Sequence, residues 1–215
     1  MASDAIQTES EVTDALLAAL VDDLDAGFAA LVRRYQRVVF SVALRVTGKA
    51  SESEELSAES FLRAYVALRG YEPARIYSLQ PRPWLLTIML NTWRNTVRSA
   101  VRRPQTPMAE VPERPAAESS VEDQVVRGET RRELAVLLDR LPENQRVAVV
   151  LRHVVGLPMA ELAMVMDVPE GTAKSHASRG LKALRDLFGG RRPTGWENVS
   201  KPAERPGSRW GREPR

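Results

Sequence analysis

Apolar positions along this chain recur three and four residues apart, the spacing of a helix with one buried face, and alternating strand-like stretches are nearly missing. Phe28, Leu31, Val32, Tyr35, Val38, Val39, Val42 and Val46 fall on one such face. Gly48 follows where a left-handed turn would stop the helix. The stretch "SESEELSAESFLRAYVALRGY" predicts the next helix: serines and Glu52 supply its N-terminal signals, Leu56, Phe61, Tyr65 and Leu68 its buried side, and Gly70 its end. A loop containing Pro73, Pro81 and Pro83 leads into "WLLTIMLNTWRNTVRSAVRR". There Leu86, Leu90, Trp93 and Val97 make one stripe, widened by Leu85, Ile88 and Met89, so this helix is apolar early and basic late.

From residue 104 to about 120 the composition changes to Pro, Ala and Glu, with Pro104, Pro107, Pro112 and Pro115, which predicts a flexible acidic linker. Helical patterns resume in "VEDQVVRGETRRELAVLLDRL" and, after Pro142, in "ENQRVAVVLRHVV", which closes at Gly156. A short "MAELAMVM" helix, a turn at Asp167, Val168 and Pro169, and a last helix ending at Phe188 complete the set. The tail from 189 to 215 has no period, is rich in Gly, Pro and Arg, and is expected to be disordered. The expectation is an all-α protein of two small helical domains, a helical bundle (25–103) and a helix-turn-helix domain (121–188). An acidic segment (1–24) precedes the first, the linker (104–120) joins them, and a basic tail follows.

Charge sharpens this picture. The net charge of +3 is small, but the first 25 residues hold seven acids and no Lys or Arg. Arg94, Arg98, Arg102 and Arg103 occur with no acid between 91 and 103, and Lys174 to Arg185 is again purely basic. Two basic segments separated by an acidic connector suit two contacts with a polyanion; solvated helix faces are the plainer alternative. Cysteine is absent, which removes disulfides, thiolate zinc sites and a cysteine nucleophile. His153 and His176 stand alone, so no metal or cofactor is expected, and no phosphate-cradling Gly loop or nucleophile–base pair points to an enzyme. The acidic start lacks the parts of a signal peptide and no apolar run approaches the ~20 residues of a membrane span. A soluble cytoplasmic protein without membrane insertion is the expectation.

The last helix, in "VPEGTAKSHASRGLKALRDLF", carries the most chemistry. Ala173, Ala177, Leu181, Leu184 and Leu187 form a packed stripe, which leaves Thr172, Lys174, Ser175, Ser178 and Arg179 on other faces, with His176 toward DNA or solvent. In a helix-turn-helix unit the second helix lies in the DNA major groove with its first turns against base edges. Small side chains there let the backbone approach closely, hydroxyls donate to phosphates or bases, and Lys174 and Arg179 reach further. A helical hairpin whose polar face meets water is the alternative.

The order of the motifs resembles the extracytoplasmic-function group of bacterial RNA polymerase sigma factors. Four stretches carry the resemblance: "FAALVRRYQRVVFSVALRVTG", "SEELSAESFLRAYVAL", "PRPWLLTIMLNTWRNTVRSAVRR", and the run from "LDRLPENQRVAVVLRHVVGLPMAELAMVMDVPEGTAKSHASRGLKALRDLF". The resemblance implies a dissociable specificity subunit whose partners are core RNA polymerase and promoter DNA. Its first domain would dock on a coiled coil of the largest polymerase subunit and capture unpaired bases of the minus-ten element. Its second would read the minus-thirty-five element as a duplex, and its linker would thread the RNA channel. By position, Glu55, Leu56, Glu59, Phe61, Leu62 and Arg63 correspond to the polymerase-docking helix, with core packing the alternative for Phe61. Asn91, Arg94, Asn95, Arg98 and Arg102 would meet melted DNA, and Tyr71 and Tyr77 would stack on bases; Trp84 is expected to be buried. An anti-sigma partner is compatible with the family.

The chain departs from the family pattern at Ala58, where Gln is frequent, at Asn95 in place of an acid, at His176 in place of Arg, and at Pro158 in place of a Ser cap. A helix-turn-helix regulator acting on duplex operators without polymerase remains the competing function, and a polymerase-binding module without promoter recognition a third.

Overall fold

In a computed structural model, which describes residues 2–102 and 133–189, every regular element among the described residues is a helix. The linker, residues 121–132 and the tail beyond Gly189 lie outside them. The N-terminal helices are α1 (Ala2–Asp22), α2 (Leu24–Thr47), α3 (Ala50–Arg69), α4 (Pro73–Tyr77) and α5 (Pro81–Arg102). The C-terminal ones are α6 (described over 133–139), α7 (Glu143–Val149) continuing into a π-helical turn (Val150–Val154), α8 (Met159–Met166) and α9 (Glu170–Gly189).

Local chemistry sets most of these boundaries. Asp23 has extended backbone, and its carboxylate accepts from the N–H groups of Asp25 (3.0 Å) and Ala26 (3.1 Å), a cap typically worth about 1 kcal/mol. Gly48 takes φ 79° and returns its N–H to Leu44 O, as its position predicts. Lys49 before α3 makes no side-chain cap; instead Ser53 donates its hydroxyl to the Lys49 carbonyl. Pro158 likewise precedes α8 without a side-chain cap.

The acidic first segment is more than a charged leader. It forms α1, and Leu16, Leu17 and Leu20 bury against α2 and α4. Gly27 is required where α1 and α2 meet: a Cβ there would sit 2.5 Å from the Leu20 backbone nitrogen. The core of this half is built from Leu31, Val39, Val42 and Val46 of α2, Leu56, Ala64 and Leu68 of α3, and Leu85, Leu86, Met89 and Leu90 of α5. The apolar stripe of α5 ends at Trp93, because Val97 is 39% exposed rather than buried. The stretch between Gly70 and Pro83, expected as a loop, contains the one-turn helix α4, started by Pro73 and anchored by buried Ile76.

In the C-terminal half, α8 stops at Asp167, which adopts the left-handed conformation (φ 56°, ψ 50°). Val168 N–H returns to Ala163 O (3.1 Å) and Asp167 N–H to Met164 O (3.2 Å), a Schellman closure that aims the chain into α9. Ala173, Ala177, Gly180 and Leu184 bury one side of α9 in its contacts with α7 and α8. Leu181 and Leu187 of the expected stripe are half-buried. At Gly180 an added Cβ would lie 2.6 Å from Val149 Cγ2 and 2.9 Å from Gln145 O, so glycine allows α9 to lie directly on α7. The two halves touch: α5 packs on α8 and α2 reaches α7, so their buried side chains join in one cluster.

Candidate nucleic-acid and polymerase interfaces

The burial of one side of α9 decides what its other sides present. Thr172, Lys174, Ser178 and Arg179 are exposed, whereas Ser175 and His176 are half-buried at the flank of the packed stripe. Lys182 and Arg185 extend the exposed basic side, so Lys174, Arg179, Lys182 and Arg185 give four cations with no acid between them. This matches the shape and charge of a helix laid in a major groove, with hydroxyls near the front and long cations behind them.

The residues of α5 divide differently. Asn91, Asn95 and Arg98 lie at successive helical turns and are exposed, forming one polar stripe. Arg94 points the other way: its two terminal nitrogens lie 3.5 and 3.4 Å from Met166 O at the end of α8. The side chain of Arg102 is outside the described residues. Tyr71 is half-buried, with the Arg75 guanidinium 3.8 Å over its ring and Trp84 at 6.2 Å, so Arg75 covers the face that Tyr71 was expected to offer a base. Tyr77 is 53% exposed at the end of α4 and keeps that capacity. Trp84 is half-buried.

On α3, Glu55, Glu59, Leu62, Arg63 and Val66 share one side at helical spacing. Glu59 and Arg63 pair with each other at 2.6 Å across one turn, an exposed pair of small stabilising value. Leu62 (58% exposed) and Val66 (61%) form an apolar strip beside them. Such a strip rimmed by charge is typical of a protein–protein contact. Leu56 is buried, so its side chain supports α3 from within; Phe61 is half-buried and meets Phe28 edge-on at 6.4 Å, in keeping with core packing. Tyr65 donates its hydroxyl to Asp25 (2.6 Å), and that bond, followed by desolvation and the Asp25 charge, raises the phenol pKa. Among the described residues no group of His, Asp or Glu is arranged to hold a metal ion. No helix among them is long and apolar enough to cross a membrane.

Residues 31–103 match the model of sigma-70 region 2, and residues 131–184 match that of sigma-70 region 4. The ECF RNA polymerase sigma-E factor of Salmonella typhimurium is 30% identical over 183 residues, covering 81% of this chain and 93% of that protein. The chain belongs to the extracytoplasmic-function (ECF) sigma factors. ECF sigma factor SigE of Mycolicibacterium smegmatis is also 30% identical, over 159 residues, and there the aligned part spans 60% of the relative's length. Among solved structures, the sigma factor RpoE of Bartonella quintana, in complex with the anti-sigma factor NepR, shares the fold with a TM-score of 0.61 and 21% identity over 77% of this chain and 98% of that one.

Three residues of this ECF sigma factor were not singled out from sequence. Val66 was hidden because the α3 periodicity drew attention to its buried side, although its spacing from Leu62 marks the same strip. Arg75 sits in what reads as a proline loop, and its stacking on Tyr71 needs the one-turn helix α4. Arg82 donates to Val155 O in the other half of the molecule, a contact with no local sequence signal.

Proposed function

We propose that this sigma factor divides promoter recognition between α9 and α5 and meets polymerase through α3. The α9 side bearing Thr172, Lys174, Ser175, His176, Ser178 and Arg179 reads the minus-thirty-five element as a duplex. Asn91, Arg94, Asn95, Arg98 and Arg102 of α5, with Tyr77 and the Tyr71–Arg75 stack, hold the melted minus-ten strand. Unstacking a base costs a few kcal/mol, and each stacked, captured base returns about 1–3 kcal/mol, so opening is favoured once polymerase fixes the geometry. Glu55, Glu59, Leu62, Arg63 and Val66 dock on the largest polymerase subunit, and the acidic linker follows the RNA channel. The protein acts in the cytoplasm as a binding subunit, not a catalyst. An anti-sigma factor, the kind of partner named for the Bartonella quintana structure, is the matching class of regulator.

The observation that carries this reading is the split of α9 into a packed side and a basic, hydroxyl-bearing side directly after a tight turn. The test is a pulldown of core polymerase with the full chain, followed by run-off transcription on genomic promoter fragments. Co-purification with promoter-specific transcripts is expected. Tight binding to an intact operator without any polymerase association would instead identify a duplex-binding regulator.

A further inference from the structure

Several cations of the N-terminal half are engaged within the chain. Lys49, just before α3, lies 3.0 Å from Glu52, and Arg63 pairs with Glu59. Arg75 stacks on Tyr71, and Arg82 and Arg94 of α5 turn to carbonyls of the C-terminal half. Helix α2 differs. Its stretch "LVRRYQRVVF" carries Arg33, Arg34 and Arg37 within two turns, all three exposed, and α2 has no acid between Ala26 and Thr47. Among the described residues none of the three joins an ion pair; Arg34 lies over the ring of its neighbour Tyr35 at 5.7 Å. Arg33 and Arg37 are four residues apart and share one side of α2, on which Phe40 and Leu44 follow at the next two turns, both half-buried. At 1.5 Å per residue the line from Arg33 to Leu44 is about 16 Å long. Like charges one turn apart repel and weaken a helix slightly, and no internal contact of Arg33 or Arg37 offsets that repulsion.

A bound polyanion would offset it. From these observations we infer that the side of α2 bearing Arg33, Arg37 and Phe40 is a further nucleic-acid contact, which takes the phosphates of a single strand released on promoter opening. The proposal rests on the reading of α5 as the strand-binding helix, against which α2 packs in the same bundle. Among the described side chains of α5, Arg98 is the one exposed guanidinium. A strand laid on α5 therefore meets little positive charge there, and α2 supplies the rest. Phe40 favours an unpaired strand over a duplex. Its ring, one turn beyond Arg37, offers a stacking surface to a free base, whereas paired bases already stack on one another.

The chain has no cysteine, so Ala29→Cys, exposed one turn before Arg33, carries a single benzophenone probe on the full-length protein. The labelled chain is reconstituted with core polymerase and irradiated on a promoter whose minus-ten region is mismatched and so already open. A crosslink to one unpaired strand is expected; its absence, or a crosslink to a polymerase subunit in its place, overturns the proposal. In unlabelled protein, Arg33→Ala, Arg37→Ala should weaken holoenzyme binding to the open promoter about tenfold, the scale of a lost charge-assisted hydrogen bond, and lower the salt slope of log K by about 0.7 for each lost single-strand phosphate contact. Both positions are exposed and alanine is a strong helix former, so the melting temperature should not fall. Phe40→Leu keeps an apolar side chain but removes the ring, and should lower strand affinity with the salt slope unchanged. The control Arg69→Ala, Arg140→Ala removes the same charge at exposed positions elsewhere and should leave the slope as it is. An equal loss in that control would reduce the effect to overall charge, and an equal loss on the fully paired promoter would make it a duplex contact; either result overturns the proposal. The reading of α5 is checked separately by Arg98→Ala. Full affinity for the open promoter in that variant would count against α5, while the crosslink from α2 is read independently.

Discussion

Helices α5 and α9 have the same raw ingredients: each is amphipathic, each is basic along one stretch, and each follows a tight connection. They differ in what their basic residues do in the free chain. On α9, Lys174 and Arg179 are exposed, with one side of the helix consumed by α7 and α8. On α5, Arg94 and Arg82 are directed to carbonyls of the opposite half, while Asn91, Asn95 and Arg98 form an exposed polar stripe. A duplex presents its phosphates and groove edges at all times, so a reader of duplex DNA gains from a permanently exposed face. An unpaired strand exists only after opening, so on the proposed division of roles α5 has no target until the duplex is opened.

The strongest way to break the comparison is to spoil α9 while sparing α5. Gly180→Ala forces a methyl to within 2.6 Å of Val149 and 2.9 Å of the Gln145 carbonyl, and the backbone oxygen cannot rotate away. Overpacking of this kind costs about 1–3 kcal/mol. Thermal unfolding should show that loss, and duplex binding should fall with it, whereas core-polymerase pulldown through α3 should be retained. The double change Lys174→Ala, Arg179→Ala leaves the packing side alone. It should weaken duplex binding by about 1–3 kcal/mol if one cation contacts a base edge, and lower the salt slope of log K by about 0.9 for each lost phosphate contact. A salt titration of promoter-fragment binding reads both.

A smaller effect sharpens the third surface. Val66→Asp places a charge in the exposed strip with Leu62, where no folded-state packing is lost because the side chain is 61% exposed. Core-polymerase affinity should fall by about 1–2 kcal/mol, in the range of an interface anchor, with the melting temperature nearly unchanged. The smallest effect concerns pH. Tyr65 donates to Asp25, which raises its pKa above the free phenol's ordinary value. A group whose folded pKa is raised contributes stability that is fully present below the unfolded pKa, near 10, and is lost as pH rises through the folded value. Tyr65→Phe should therefore lose a small part of the stability at neutral pH and flatten its fall above about pH 10, measured by denaturant unfolding across alkaline buffers.

Much of this architecture was legible in the sequence because it is written in local chemistry. Gly48 and Gly156 have φ 79° and φ 78° where the patterns end, and the Asp167 turn lies where it was expected. The split of α9 follows from spacing alone. What escaped has a physical reason in each case. The acids of α1 obscured the cluster of Leu16, Leu17 and Leu20, whose partners are on α2 and α4. Pro73 reads as a loop signal but is also a good first residue of a helix. Tyr71 looked available for stacking until Arg75, on the one-turn helix α4 that follows it, covered it. The Arg82 and Arg94 contacts join residues 73 and 72 positions away in sequence, to carbonyls that carry no residue-specific signature. Long-range contact to backbone is the kind of information a single sequence holds least.

The most direct test is permanganate footprinting of a promoter opened by core polymerase reconstituted with this chain. Permanganate attacks unstacked thymines, so it reports the strand capture proposed for α5 separately from the duplex occupancy proposed for α9. The account requires reactive thymines in the minus-ten region with the wild-type chain, their loss with Arg94→Ala while the upstream duplex stays protected, and loss of both with Lys174→Ala, Arg179→Ala. Wild-type thymine reactivity with Arg94→Ala, or no opening above core polymerase alone with the unaltered protein, would contradict it.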